Sequence, residues 1–142
     1  MITPVTPKES RPVPGATPRF ISGLRDLRDY FLRPIIGGRR SRGIHGYNGV
    51  DLAEACGSAV LSSAEGSVIV ARSSGWNGGY GKYIVVAHPN GTQTLYAHLK
   101  EILVDIGQRV PRGLRIGDVG STGNSTGCHV HFEVRGAKNP FG

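Results

Sequence analysis

The sequence predicts a single-domain, mainly β protein of antiparallel strands, on three observations. Its 142 residues suffice for one compact domain but not for two. Glycine fills 22 positions, about double the usual share of roughly 7%, with no collagen period. From residue 37 onward, short β-branched or aromatic runs alternate with glycine-rich turns. Hydrophobic residues at 38% supply a core, and a charged fraction of only 19% excludes a disordered, charge-rich chain.

Residues 1–19 carry prolines at 4, 7, 12, 14 and 18, which block helices and strand ladders and predict an extended linker or tail. Over residues 20–36, Ile21, Leu24, Leu27 and Phe31 recur at spacings of three and four, predicting a short helical lead-in ended by Pro34. Residues 37–142 form the domain itself. Within it Val68–Val70, Tyr83–Val86 and Thr94–Tyr96 read as strands. His88-Pro89-Asn90-Gly91 joins the last two as a hairpin, with Asn90-Gly91 the favoured tight-turn pair. A further strand pair is expected around Gly107–Val110 and Ile116–Asp118, and a last strand from His129 to Arg135.

Seventeen basic against ten acidic side chains give a net charge of +7, which favours an anionic partner. Arg39, Arg40 and Arg42 form the one dense basic knot. It reads as a solvated loop, and without an aromatic-interleaved platform no nucleic acid is expected. No apolar run approaches the roughly 20 residues of a membrane-spanning helix, so no integral membrane segment is expected. Residues 1–10 show no apolar stretch of the signal-peptide kind.

The chemistry lies in the five histidines. In His129-Val130-His131-Phe132-Glu133-Val134, strand alternation puts His129, His131 and Glu133 on one face and the apolar residues on the other. Two imidazoles about 6.6 Å apart suit two metal ligands, or one ligand beside an acid–base group; the plain alternative is a solvated strand face. His45 and Asp51 flank a glycine-containing loop and can offer a nitrogen and an oxygen ligand, both of which zinc accepts. In Leu95-Tyr96-Ala97-His98-Leu99, alternation puts Tyr96 and His98 on one face. His88, in the hairpin turn, is expected to be exposed and inert. Trp76 stands in the glycine run 75–81, either stacking on a ligand or packing a turn.

These segments, in this order, resemble the lysostaphin-type zinc peptidoglycan endopeptidases, a murein DD-endopeptidase-like family with the duplicated-hybrid-motif β fold. The likeness runs from Gly43 to Asn139. It rests on His45 to Asp51, the glycine-rich run Gly75 to Gly81, Tyr96 to Leu99, Val104 to Val110, Gly120 to Gly127 and the His-x-His-Phe-Glu of His129 to Glu133. The resemblance implies an antiparallel β-sheet or sandwich with a groove holding Zn2+, and hydrolysis of peptide bonds in peptidoglycan cross-links or stems. Asp51 and His131 are the implied metal ligands. His98 and His129 are the implied catalytic, non-ligand histidines, which orient or deprotonate water and stabilise the oxyanion. Peptidoglycan peptides as partner, the cell envelope as location and a monomer are the matching expectations.

One departure stands out. The family's first histidine lies four residues before the aspartate, where this chain has Tyr47, and His45 lies six before. Either a longer loop brings His45 to the metal, or Tyr47 is a phenolate ligand, or the site is damaged. His45 is preferred, because a phenol with pKa near 10 must first lose its proton, and Gly46 and Gly49 permit a bulged loop. Glu133 either holds a histidine ring N–H or pairs with an arginine. If Asp51 and His131 share a metal, Cys56 and Cys128 come into one neighbourhood, giving a disulfide or two separate thiols. The rival reading is an inactive cell-wall-binding or amidase-activating module of the same fold.

Overall fold

The computed structural model describes residues 25–142. The expected linker and the start of the expected helix, including Ile21 and Leu24, lie outside the described residues. Over 25–36 the chain makes a turn at 28–30 and no helix. Pro34 and the anchoring of the backbone explain this: Leu32 N–H donates to Ser63 O (2.7 Å) and Leu61 N–H to Pro34 O (2.7 Å), so the segment bonds to the domain instead of to itself. Phe31 and Ile35 are buried in the main core, so the packed unit begins before residue 37.

Ten strands follow: β1 (Arg39–His45), β2 (Gly49–Ala53), β3 (Ala59–Leu61), β4 (Gly66–Arg72), β5 (Tyr83–Ala87), β6 (Gln93–Ala97), β7 (Glu101–Ile102), β8 (Arg109–Val110), β9 (Arg115–Asp118) and β10 (His129–Arg135). They form a seven-stranded sheet, β1-β2-β10-β6-β5-β4-β8, and a three-stranded sheet, β3-β9-β7. The mainly antiparallel β expectation holds, and the pairings are antiparallel throughout. The predicted pairing of Gly107–Val110 with Ile116–Asp118 does not form: β8 extends the large sheet beside β4, while β9 centres the small one. The arginine knot is no loop; it is β1, an exposed edge strand.

One face of the large sheet is the core. Val50, Leu52, Ile84, Val86, Tyr96, Val130, Phe132 and Val134 are buried there with Val60 and Ile116 of the small sheet. The opposite face carries the polar residues of β2 and β10 beside a small apolar cluster of Val85, Leu95 and Ala97. Strand alternation thus divides the sheet into a structural face and a chemical face.

His88 is the clearest reversal. It is buried, not exposed. Its Nδ1–H donates to Glu65 O (2.7 Å), and its Nε2 accepts from Thr94 Oγ1 (2.8 Å). Thr94 Oγ1 in turn accepts from the Tyr96 hydroxyl (2.6 Å), which accepts from Ser63 N–H (2.8 Å). A turn residue becomes core because the hairpin folds back under Tyr30 and Phe31, whose rings meet the imidazole edge-on. Burial lowers the His88 pKa below its usual value. Protonation places a hydrogen on Nε2 and reverses the Thr94–Tyr96 chain. A depressed folded-state pKa means that the stabilisation is present above the unfolded pKa of about 6.5 and is lost as pH falls below it. Denaturant unfolding of wild type and His88→Gln should therefore show a stability gap that narrows as pH drops from 7.5 to 5; a gap independent of pH contradicts the network.

Candidate metal centre

The site grows from the pairing of β2 with β10. Their register sets His131 opposite Asp51, Glu133 opposite Gly49 and His129 opposite Ala53. Directly paired residues project to the same face, and His131 Nδ1 lies 2.9 Å from Asp51 Oδ1. The end of β1 then delivers His45, whose Nε2 is 3.4 Å from the same oxygen. Ligand atoms of His45, Asp51 and His131 all lie within 4.8 Å of one another. Tyr47 is 76% exposed in the intervening turn. The turn is pinned by Asn48 Nδ2, which donates to Val134 O and Ala137 O (2.8 Å each), and the extra residues leave His45 facing Asp51.

Two more imidazoles border this group. His129 Nε2 is 3.7 Å from Asp51 Oδ1, and the rings of His98 and His129 are 4.9 Å apart. His129 arrives by strand alternation, but His98 does not. β6 ends at Ala97, and His98 adopts φ +65°, a left-handed conformation uncommon outside glycine. The twist breaks the predicted pairing of faces: Tyr96 stays in the core, and His98 swings to the histidine side. Hydrogen bonds hold it there, with His98 N–H donating to Tyr80 O (2.8 Å) and His98 Nδ1–H to Thr122 O (2.7 Å). The two loops that supply these carbonyls touch backbone to backbone. A Cβ on Gly123 would lie 2.5 Å from Gly79 O, so only glycine fits.

The carbonyl partners fix the tautomers. A carbonyl oxygen only accepts, so the nitrogen facing it carries the proton. His45 Nδ1–H donates to Gly43 O (2.8 Å) and His129 Nδ1–H to Gly127 O (3.1 Å). With His98, three rings therefore turn an Nε2 lone pair away from their carbonyls. His131 is reversed: its Nε2–H donates to Glu133 Oε2 (3.0 Å) and its Nδ1 faces Asp51. Glu133 is itself buried and accepts from Tyr80 Oη (2.6 Å) and Arg135 (3.2 Å). Both proposed roles of Glu133, ring holder and arginine partner, are present together.

The charges follow this wiring. Burial works against ionisation of Asp51, but the His131 hydrogen bond and the neighbouring imidazoles outweigh it and hold the carboxyl below its usual pKa. Burial likewise disfavours the His131 cation, yet Asp51 and Glu133 push its pKa up to about 9. Burial lowers that of His98, keeping it neutral. Burial and the Glu133 carboxylate raise Tyr80 to about 12.

Two residues of the site were not visible in the sequence. Tyr80 sits in a glycine run with no alternation to signal its direction, yet its ring stacks 6.1 Å from His131. Gly49 looks like a loop glycine, but a Cβ there would press on the His131 ring, 2.7 Å from Nε2. Gly49→Ala should displace His131 and weaken metal binding about 10- to 100-fold while the protein still folds, as read by chelator competition and thermal unfolding. Trp76, 62% exposed, flanks the 3₁₀ turn Asn77–Gly79.

The expected sulfur neighbourhood is a bond: Cys56 and Cys128 form a disulfide.

Comparison with known proteins agrees with this geometry. The model of "Peptidase family M23" matches residues 45–141. Peptidoglycan DD-endopeptidase ShyA of Vibrio cholerae is 45% identical over 88 residues, covering 62% of this chain and 20% of that protein. A zinc containing peptidase from Vibrio cholerae is 36% identical with a TM-score of 0.58, over 79% of this chain and 37% of that one. The antimicrobial peptidase lysostaphin from Staphylococcus simulans is 26% identical with a TM-score of 0.63, over 77% and 49%. The chain spans about a fifth of the length of the first curated relatives it matches. With its fold, the order of its motifs and the gathered histidines all in agreement, the chain belongs to peptidase family M23.

Proposed function

We infer that this domain is a zinc-dependent endopeptidase that hydrolyses peptide bonds in the cross-links or stems of bacterial peptidoglycan, in the cell envelope. The observation that carries the reading is the convergence of His45, Asp51 and His131 on one point with His98 and His129 beside it. Two imidazoles and one carboxylate are a donor set that zinc takes, and three protein ligands are the number catalytic zinc sites use. Zinc held there lowers the pKa of a water from about 15.7 towards roughly 7 and polarises the scissile carbonyl.

The chain's own residues do the rest. His45 and His131 offer Nε2 and Nδ1 respectively, each aimed by the partner on its other nitrogen. His131 would hold the metal through Nδ1, its proton there passing to solvent, and Glu133 would keep the Nε2 proton in place. His98 and His129 present Nε2 toward the same space, where they divide the tasks of taking the nucleophile's proton and stabilising the oxyanion. One chain supplies every group, so a monomer suffices. Among the described residues no helix is long and apolar enough to cross a membrane.

The inactive-module alternative requires a depleted site, and here four histidines and Asp51 stand together. Digestion of purified sacculi is the test. Released peptide fragments should appear by mass analysis, vanish with a chelator and return with zinc. Tyr47→Phe should keep stoichiometric zinc and His45→Ala should lose it. A chain that binds no zinc at micromolar levels, or leaves sacculi intact with zinc present, belongs to the module reading.

A further inference from the structure

β1 is built oddly for an edge strand. Arg40 pairs with Leu52 and Arg42 with Asp51, so two steps along β1 match one along β2; from Arg42 to His45, three steps match two. Each irregularity inserts one extra residue. In an unbroken strand, residues 39, 42 and 45 would alternate between faces. The two bulges instead set Arg39, Arg42 and His45 opposite Ala53, Asp51 and Gly49, which are the partners of His129, His131 and Glu133 on the other side of β2. Bulges beside active sites re-aim side chains in this way. The chemical face therefore reads in rows, with Arg39 in line with His129, and Arg42 in line with Asp51 and His131.

These cations are free to act. Arg39, Arg40 and Arg42 are exposed. Among the described residues they form no ion pair, whereas Arg28, Arg115 and Arg135 each hold a carboxylate. On the other side of the site Leu95, Ala97 and Tyr80 line the face, and its next exposed cation beyond the Glu133-bound Arg135, Arg72, stands at the end of β4, three strands from β10. A carboxylate near the ligand group therefore meets the β1 arginines first.

We propose that Arg42, assisted by Arg39, binds a free carboxylate of the substrate peptide and so selects acidic peptides and sets their direction across the site. This rests on the endopeptidase reading above. Adjacent strands lie about 4.8 Å apart, so Arg42 stands one strand from Asp51 and roughly 10 Å from the β10 backbone. An extended peptide covers about 3.3 Å per residue, which places the recognised carboxylate within about three residues of the scissile bond. Arginine suits the task, because its planar fork accepts a carboxylate through two parallel hydrogen bonds.

The test uses a matched pair of peptides, one with the carboxylate free and one with it amidated, on the full chain. Wild type should cleave the acid with a KM lower by about tenfold, and Arg39→Gln/Arg42→Gln should lose that preference while keeping its zinc content and unfolding midpoint. Raising salt from 50 to 500 mM should erode the preference in wild type and leave the variant unchanged. Direct binding of the two peptides to zinc-free protein gives the same comparison without turnover. Acid preference in binding with no cleavage would sink the endopeptidase reading and keep the arginine role. Equal discrimination in wild type and variant, or none in either, overturns the proposal and leaves the charges as protection of an open sheet edge. Equal treatment of both peptides together with arginine-dependent binding of polyphosphate also overturns it, in favour of a phosphate polymer.

Discussion

Asp51→Ala is expected to strip the protein of zinc and to lower kcat/KM by about three orders of magnitude or more, the scale of losing the metal's contribution to the nucleophile. The reason is positional. Asp51 Oδ1 is the atom on which the site closes, 2.9 Å from His131 Nδ1, 3.4 Å from His45 Nε2 and 3.7 Å from His129 Nε2. Deleting it removes the sole carboxylate among the three converging ligands and the acceptor that keeps His131 turned inward. The informative contrast is His98→Ala. His98 is anchored through Nδ1 to Thr122 O and stands outside the ligand group. That variant should hold zinc at full stoichiometry and still lose about 10²- to 10⁴-fold in kcat, the range for a missing acid–base or oxyanion group. Metal analysis alongside kinetics separates the two. Zinc retained by Asp51→Ala would dismantle the assignment of the site, and an active His98→Ala would confine the chemistry to His129.

The second large effect is on stability. Cys56 follows β2 and Cys128 directly precedes β10, so the bond between them ties together the two strands that carry the site. It spans a sequence separation of 72 residues. In the chain-entropy account, closing a loop of that length stabilises the fold by about 4 kcal/mol, and for a domain of this size that corresponds to a fall in Tm of roughly 10–20 °C when the bond is removed. Cys56→Ser/Cys128→Ser, or reduction of the native protein, should show that loss by circular dichroism. Because β10 is also held by β2 and β6 along its length, the variant should regain activity at low temperature. A shift under 3 °C would mean that neighbouring contacts already restrain the unfolded chain or the strand ends. A persistent disulfide also fits an oxidising compartment.

The arrangement explains how a small domain maintains a reactive, half-buried site. Cations and anions are interleaved: His131 lies between Asp51 and Glu133, and Glu133 between His131, Tyr80 and Arg135. Each charge thus has a partner, which lowers the cost of burying it. The apolar face of the same strands packs into the core, so the site's geometry is set by backbone pairing and not by loops alone.

Local pattern was legible wherever a residue's environment follows from its neighbours in the chain. The alternation of His129 to Val134 stated which side chains would share a face, and β10 forms over the predicted residues, although His131 and Glu133 on the histidine face are buried as well as the apolar residues. The hairpin around Asn90-Gly91 was equally plain. Pattern failed where the third dimension intervened. His88 reads as a turn residue, but Tyr30, Phe31 and Thr94 close over it from distant parts of the chain. His98 reads as a strand residue, but a left-handed backbone re-aims it. The arginine knot reads as a solvated loop, but two bulges register it against β2.

What the amino-acid order by itself determined is therefore the inventory and the faces: a β domain, five histidines, Asp51 beside a glycine-containing loop, and the alternation that separates core from chemistry. These depend on interactions between near neighbours, which composition and period record. Tertiary structure alone decided convergence. Bringing Asp51 to His131 across 80 positions of sequence, turning His98 by one backbone angle, clearing space for the His131 ring at Gly49 and seating Tyr80 on Glu133 all depend on strand pairing between remote segments. Such pairing is selected by the energy of the whole core, and no window of the sequence contains it.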